Sequence, residues 1–121
     1  MQMRAHPGVL ERLRDDQRLV LSGDDAARYH RADIVMPASL DAYVTPKDAR
    51  VLVAEFALVP SRSSDLNVVL RVVPFDVDIP RADRRIVSEV LCAIDLIDSG
   101  DERSVRAGRS LLERADRAAR A

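Results

Sequence analysis

The amino-acid sequence predicts an α+β fold: a small mixed sheet flanked by helices and ending in two C-terminal helices. Short apolar segments alternate with helix-forming segments over the first 80 residues. A nearly continuous run of β-branched residues at 67–73 predicts a buried strand. The last third of the chain carries apolar residues at helical spacing instead.

The length and composition predict a single globular domain over 1–121. A chain of 121 residues suits one domain and not two, and an apolar share of 47% argues against wholesale disorder. Within this domain we expect three parts. They are a short N-terminal extension with a helix (1–17), a sheet-containing part (18–80) and a C-terminal helical pair (82–120).

Charge and cysteine content exclude several classes of protein. A formal net charge of -1 does not favour a dedicated nucleic-acid module, which is usually basic. Cys92 is the only cysteine, so an internal disulfide and a thiolate zinc cluster are excluded, and its apolar surroundings predict burial. Charged residues interrupt the segment 1–21, which excludes a signal peptide, so we expect a cytoplasmic protein.

The N-terminal elements follow from short periodic segments. Residues 8–16 predict a helix, and residues 18–21 predict a short strand. A side-chain oxygen of Ser22 or Asp24 can accept a free backbone N–H and so cap the helix expected over 25–31.

Strand and helix signals alternate through the middle of the chain. Residues 34–36 and 41–44 predict strand pieces separated by a turn at 37–39. Pro46 fits the first turn of a helix, which we expect over 46–55.

The stretch that follows is extended, then irregular, then extended again. Residues 56–59 predict an extended segment and residues 61–65 a loop. The strand at 67–73 is expected to be buried on both faces except where Arg71 points outward.

Two helices are predicted at the C-terminal end. The first is expected over 82–98 as the most buried helix, with an apolar face formed by residues 86, 87, 90, 94 and 97. Gly100 fits its end and Asp101 the cap of the next helix. In the last helix Val105, Gly108, Leu111, Leu112, Ala115 and Ala119 share one arc, opposite Arg103, Arg106, Arg114 and Arg117.

Three parts of the sequence resemble a known family. They are RLVLSGDDAARYHRADI (18–34), SLDAYV (39–44), and NVVLRVVPFDV (67–77) with the later VLCAIDLIDSGDERSVRAGRSLLERA (90–115). Together they resemble the C-terminal domain of AbiEi-type antitoxins from type IV toxin–antitoxin systems, in the GC-rich bacterial branch.

The resemblance implies both a fold and a function. It implies a nucleotidyltransferase-like fold and an antitoxin that counteracts a cognate toxin, itself a nucleotidyltransferase. Such antitoxins usually carry an N-terminal winged helix that binds operator DNA. Because residues 1–17 are too few for a winged helix, we expect the C-terminal domain here without it.

The segment from 18 to 44 also resembles the opening of the nucleotidyltransferase fold, where Ser22 and Gly23 could form the phosphate-binding turn and Asp41 could bind metal. That chemistry needs three carboxylates around two cations, which neutralise the attacking and leaving oxygens. Ser39 stands where a second carboxylate would be expected, and the strand at 67–73 contains no acid.

These missing carboxylates predict a protein without catalytic activity. Asp76 and Asp78 come too late in the chain for a simple match, and a single carboxylate holds Mg²⁺ poorly. We therefore interpret Ser22, Gly23 and Asp41 as vestigial, and expect no catalytic residue, bound metal or cofactor. An active metal-dependent nucleotidyltransferase centred on Asp41 is the alternative.

Partner binding is the remaining function, through a toxin-like protein or through self-association. The candidate contact residues are arginines, whose planar side chains bind carboxylates with two hydrogen bonds: Arg28, Arg31, Arg62, Arg103, Arg106, Arg114 and Arg117. A merely solvated arginine face on the last helix, or a DNA-binding transcriptional regulator of the same family, are the alternatives. Asp95, which interrupts an apolar helix, is expected to hydrogen-bond a neighbouring element, and His30 is expected at a helix surface or boundary.

Overall fold

A mixed seven-stranded sheet forms the centre of the protein. The computed structural model describes residues 1–32, 39–74 and 77–121. Within them the strands are β1 (Gln2–Arg4), β2 (Val20–Leu21), β3 (Leu40–Val44), β4 (Val59–Pro60), β5 (Val68–Val72), β6 (Arg81–Asp83) and β7 (Ile86–Val87). Their order across the sheet is β4-β1-β5-β3-β2-β7-β6.

Five helices accompany the sheet in the described part of the chain. They are α1 (Pro7–Arg14), α2 (Gly23–Tyr29), α3 (Pro46–Glu55), α4 (Glu89–Asp98) and α5 (Glu102–Arg120). The predicted mixed α+β fold with two C-terminal helices is confirmed. Likeness to nucleotidyltransferases stays a prediction.

The parallel pairing of β3 with β5 places the polar residues of the fold. Asp41 lies beside Val69, and Tyr43 lies beside Arg71. Because side chains alternate across a strand, all four point to the same face of the sheet. The opposite face of β3 and β5 is apolar, and its residues other than Val72 are buried.

Each face of the sheet has its own core. Leu13 of α1 and Leu52 of α3 pack with Leu40 and Leu70 on one face. On the other face, residues of α2, α4 and α5 pack with Val20 and Val87: Ala26, Ala27, Cys92, Ala93, Leu96, Ala107 and Leu111. The polar residues of β3 and β5 therefore face the layer that contains the two C-terminal helices.

Several predicted elements agree with the structure. The helix predicted over 46–55 has the same bounds in α3, because Pro46 begins it and Thr45 accepts a hydrogen bond from the Asp48 N–H at 3.2 Å. The strands predicted at 41–44 and 67–73 correspond to β3 and β5. The piece predicted over 34–36 lies outside the described residues.

The helix predicted over 82–98 begins later than expected. It begins at Glu89, where Ser88 Oγ accepts a hydrogen bond from the Leu91 N–H at 3.2 Å. The preceding residues instead form the β6–β7 hairpin, because Ile86 pairs with Leu21 of β2. Pairing within the sheet thus overrides a helical pattern that continues through this segment.

The buried face of α4 also differs from the prediction. Val90 and Ile94, expected in the core, are 46% and 50% exposed. The buried residues are instead Cys92, Ala93, Asp95 and Leu96. The helix is apolar on most sides, so periodicity alone could not identify its core-facing side.

Burial on both faces of β5 was likewise a wrong prediction. Val68 and Leu70 are buried, but Val69 and Arg71 are half-buried and Val72 is exposed.

No helix within the described residues combines the length and the apolar character needed to cross a membrane.

The two C-terminal helices pack most closely at a glycine. Gly100, with φ +77°, ends the α4 segment, and Asp101 caps α5 by accepting a hydrogen bond from the Ser104 N–H at 3.1 Å. A Cβ atom on Gly108 would lie 2.6 Å from the carbonyl oxygen of Ala93 and 2.8 Å from Ile97 Cγ1. Only glycine permits this approach of α5 to α4.

We predict that Gly108→Ala lowers the free energy of unfolding by about 1–3 kcal/mol, the usual cost of overpacking. The measurement is urea unfolding followed by circular dichroism. Gly8→Ala is the control, because a Cβ there would lie 3.5 Å from its nearest neighbour, an ordinary contact. Equal stability of Gly108→Ala and the parent protein would contradict the close packing of α4 and α5.

Candidate functional site

A polar cluster lies between the sheet and α4, and it consists of Ser22, Asp41, Tyr43, Arg71 and Asp95. Ser22 follows β2, and two members lie on β3, one on β5 and one on α4. The structure therefore brings together residues that are up to 73 positions apart in the sequence.

Asp95 is the most buried charged member of the cluster. It is 3% exposed, and Ser22 Oγ donates a hydrogen bond to its Oδ2 atom at 2.6 Å. The Tyr43 hydroxyl donates to the same carboxylate at 2.9 Å. Burial, together with these contacts to Asp95, raises the pKa of Tyr43. The predicted structural role of Asp95 is thereby explained: a carboxylate in an apolar helix is satisfied by two hydroxyls from the sheet side.

Ser22 occupies the position before α2 but does not cap it with its side chain. Its hydroxyl is committed to Asp95, and its backbone N–H donates to the Asp41 carbonyl oxygen at 2.8 Å. The expectation that Ser22 or Asp24 caps this helix through its side chain was wrong, because the Ser22 hydroxyl is bound to Asp95 and Asp24 lies within the first turn of the helix. The helix begins at Gly23 and ends at Tyr29, earlier than the predicted 25–31.

Arg71 binds both carboxylate oxygens of Asp41. Its Nε and Nη2 atoms lie 2.8 Å and 3.0 Å from the two oxygens, a bidentate geometry. Its Nη1 atom lies 3.6 Å from Asp95 and 3.5 Å from Asp98. The guanidinium of Arg71 thus lies within 4 Å of three carboxylates, those of Asp41, Asp95 and Asp98.

The Arg71–Asp41 pair is partly buried, and burial and ion pairing have opposite effects on the pKa of Asp41. Burial raises the pKa of Asp41, and the hydrogen-bonded guanidinium of Arg71 opposes that rise. The hydrogen bond with Asp41 raises the pKa of Arg71, so the arginine stays charged. The same guanidinium lies 6.0 Å from the centre of the Tyr43 ring, within range of a cation–π contact.

This geometry bears directly on the candidate metal residue. The strand at 67–73, where a third carboxylate was sought, instead supplies Arg71, a cationic side chain that donates a hydrogen bond to each oxygen of Asp41. Within 1–32, 39–74 and 77–121, no group of three or more His, Cys, Asp or Glu residues could hold a metal ion. Asp78 is exposed, and Asp76 lies outside the described residues.

Gly23 is required by close packing at the Ser-Gly turn. Its φ is +55°, a conformation that favours glycine, and a Cβ there would lie 2.8 Å from the Asp41 Cβ atom. The three vestigial candidates Ser22, Gly23 and Asp41 are therefore neighbours in space. Their contacts join the start of α2 to β3.

A cavity of 130 Å³ lies beside this turn, lined by Gly23, Asp24, Asp41, Asp95 and Ser104 among others. It is smaller than the roughly 300 Å³ at which ligand pockets usually begin. The Oδ1 atom of Asp24 is buried and has no hydrogen-bond partner in the described part of the chain. Burial, and then the neighbouring Asp25, raise the pKa of Asp24.

A second feature, which we call the arginine groove, lies along α5. It has a volume of 400 Å³ and is lined by five of the seven predicted contact arginines, namely Arg31, Arg103, Arg106, Arg114 and Arg117. Its remaining lining residues are small or apolar: Ala32, Ala107, Ser110 and Leu111. Arg31 comes from the segment after α2, so two separate parts of the chain form the groove.

Internal contacts hold some of these arginines. Arg114 lies 3.4 Å from Glu89 and donates a hydrogen bond to the His30 carbonyl oxygen. Arg106 pairs with Glu102 at 3.5 Å through two highly exposed side chains. Arg106 and Arg114 are therefore held in ion pairs by glutamates that do not themselves line the groove.

The other two predicted arginines lie outside the groove. Arg28 is exposed on the last turn of α2. Arg62 belongs to the 61–65 loop and lines a shallow surface with residues of β1 and β4. The seven arginines therefore do not form one continuous surface.

The side chains of His30 and Cys92 are both buried and contact backbone carbonyl oxygens. The His30 side chain is 8% exposed, and its Nε2 atom lies 2.9 Å from the Val87 carbonyl oxygen, which places the residue at a boundary with a buried ring. Cys92 is fully buried, and its thiol donates to the Gly23 carbonyl oxygen at 3.5 Å. Burial is the main factor that raises the pKa of Cys92 to about 12, so its thiol stays protonated near neutral pH.

Comparison with protein families gives a match to one family model over residues 9–117. The family is described as "Transcriptional regulator, AbiEi antitoxin, Type IV TA system". The chain belongs to the AbiEi antitoxin family. Comparisons with curated proteins and with solved structures gave no match.

Two members of the polar cluster of this AbiEi-family chain were missed as site residues. Arg71 was expected to point outward, and Tyr43 was not singled out. A usable signal was present, because single charged residues such as Asp95 and Arg71 interrupt otherwise apolar segments. Such a charge must find a partner when its segment is buried.

We predict that Arg71→Met lowers the free energy of unfolding by about 3 kcal/mol, because it leaves a partly buried Asp41 carboxylate unpaired. Urea unfolding at neutral pH measures this loss. The double variant Arg71→Met, Asp41→Asn should regain more than half of it, because both charges are then removed. Arg50→Met on the exposed face of α3 is the control, and an equal loss in that variant would contradict a specific role for the pair.

We predict that Asp24→Asn becomes more stable relative to the parent as pH rises. The folded-state pKa of Asp24 is raised, so its contribution to stability is complete below its ordinary pKa of 3.8 and is lost as pH rises through the folded pKa. Asparagine does not titrate and avoids this loss. Urea unfolding at several pH values between 3.8 and neutrality tests it. A difference that does not vary with pH would show that the substitution acts through packing.

Proposed function

We propose that this AbiEi-family chain is a non-catalytic antitoxin domain that neutralises a nucleotidyltransferase-like toxin by binding it. The observation that carries the proposal is the arginine groove, in which five arginines from two separate segments converge. A cytoplasmic location is part of the same proposal.

The polar cluster supports the non-catalytic part. Both oxygens of Asp41 accept hydrogen bonds from Arg71, so a cation at this carboxylate would have to compete with the guanidinium. Mg²⁺ needs anionic oxygens in near-octahedral geometry. A cationic side chain in the same place opposes its entry electrostatically.

The groove supports the binding part. Arginine is enriched in protein interfaces because its planar side chain binds carboxylates with two hydrogen bonds and is weakly hydrated. A single helix, α5, carries four of the five arginines of the groove. Binding to an acidic surface of the toxin would cover its nucleotide or acceptor site and block the reaction sterically.

Binding to DNA is the second candidate, because the family description includes a transcriptional regulator. The groove arginines would then contact phosphates. Such binding falls steeply with salt, and each neutralised phosphate adds about 0.9 to the slope of log affinity against log salt. Binding to an acidic protein surface depends less steeply on salt when its contacts are desolvated.

The test compares two charge-reversed variants of equal net charge. One carries Arg106→Glu and Arg117→Glu in the groove, and the control carries Arg12→Glu and Arg50→Glu on exposed turns of α1 and α3. Affinity for a purified nucleotidyltransferase-like toxin of a type IV system is measured by calorimetry. We predict a loss on the order of 100-fold for the groove variant only, since like charges in contact cost several kcal/mol.

Three outcomes would contradict the proposal. Equal loss in both variants would mean that net charge alone attracts the toxin. Tight binding to duplex DNA with a steep salt slope, and no binding to the toxin, would favour the regulator. A dimer that forms through the groove, detected by light scattering, would favour self-association.

A further inference from the structure

The outer side of α5 carries a regular row of charged residues. Six exposed residues are separated alternately by four and three positions, and we call them the charge stripe: Glu102, Arg106, Arg109, Glu113, Asp116 and Arg120. This alternation keeps the residues on one nearly straight line, as at the seam between two packed helices. The stripe is about 27 Å long at 1.5 Å per residue. It lies opposite the buried residues Ala107 and Leu111, so it faces away from the sheet.

Ion pairs within the helix involve only the two ends of the stripe. At each end an arginine pairs with an acid four residues away, at 3.5 Å and 3.1 Å, through side chains that remain at least 62% exposed. Pairs as exposed as these contribute little to stability. Arg109 and Glu113, at the centre, form no ion pair with any residue that the structure describes. The central charges are therefore free to pair with a second molecule.

The order of charges along the stripe is complementary to its own reverse. When two α5 helices pack antiparallel about a two-fold axis at the level of Leu111, each residue of the stripe faces one of opposite charge. The pairs join Arg109 to Glu113 of the partner subunit, Arg106 to Asp116 of the partner subunit, and Glu102 to Arg120 of the partner subunit. A shift of one helix by seven residues would instead place arginine against arginine and glutamate against glutamate. Since like charges in contact are disfavoured, the stripe specifies one register.

Apolar side chains lie beside the stripe on the same side of the molecule. Val90 and Ile94 are exposed on α4, opposite the buried Cys92, and so they also face away from the sheet. The half-buried Val105 and Leu112 lie on α5 between the stripe and α4. The two-fold axis that pairs the α5 helices also places α4 over α4 of the partner. These four apolar residues would then be enclosed among four helices.

We propose that the outer sides of α4 and α5 form the interface of a two-fold symmetric homodimer, in which the helices of the two protomers pack as an antiparallel four-helix bundle. Charges that flank an apolar seam select the partner and its orientation, and here they select a second copy of this chain. The inference goes beyond the proposed function and does not depend on toxin binding. The arginine groove shares only Arg106 with the charge stripe.

The test uses two charge reversals that complement each other. Arg109→Glu places a glutamate opposite Glu113 of the partner subunit, and Glu113→Arg places an arginine opposite Arg109 of the partner subunit. Each variant alone should raise the dissociation constant of the dimer about tenfold, because attractive contacts that are individually weak become repulsive. An equal mixture of the two variants should form a heterodimer of parent affinity, because opposite charges then meet again. Sedimentation velocity over a range of concentrations measures the dissociation constants.

Matched controls separate this surface from the rest of the molecule. Arg117→Glu makes the same charge change on the same helix, but in the arginine groove. Ile94→Asp probes the apolar part of the interface, and Val51→Asp, at a similarly exposed position on α3, is its control. We expect Ile94→Asp to weaken the dimer about tenfold or more, as loss of a central contact does. Both controls should dimerise as the parent does, and circular dichroism checks that every variant is folded.

Each outcome supports or overturns the inference. Weakening by each reversal alone, with recovery in the mixture, supports it. A parent protein that stays monomeric at every concentration overturns it, as does a dimer that neither reversal affects or that Arg117→Glu weakens equally. Weakening without recovery in the mixture overturns the antiparallel register. A monomer that binds the toxin leaves the proposed function standing, and a dimer that does not bind the toxin leaves this inference standing.

Discussion

The bidentate pair between Arg71 and Asp41 is the interaction on which the centre of the structure depends. It joins β5 to β3, and the same guanidinium reaches Asp95 on α4. A helix that is apolar on most sides can carry a buried carboxylate because Arg71, Ser22 and Tyr43 surround it. Sheet, turn and helix are therefore held together by charge as well as by burial.

The sequence predicted elements well where local chemistry determines them. Pro46 with Thr45 defines the start of α3, and Gly100 with Asp101 separates α4 from α5. These signals act within a few residues and do not depend on the rest of the fold. Residues 82–88 were predicted incorrectly because their conformation is decided by pairing with β2, which is distant in the sequence.

In the candidate site, too, some features follow from local sequence and others only from the tertiary fold. The arginine face of α5 follows from helical periodicity, and its position next to Arg31 follows from tertiary packing alone. Asp41 could be singled out as a lone acid, but its partner is set by the parallel register of β3 and β5, which places Arg71 on the same face 30 residues later. Register of this kind depends on the whole sheet.

Gly108 has a consequence for recognition. Because the backbone of α5 lies against Ala93 at this point, sliding or rolling of α5 along α4 would bring side chains of α5 into that contact. The arginines that follow it are therefore presented on a preorganised scaffold, and little conformational entropy of the backbone is lost when they meet a ligand. Selection of the ligand then depends on its fit to a fixed template, so a small mismatch in carboxylate spacing should be penalised fully instead of being absorbed by movement of the helix.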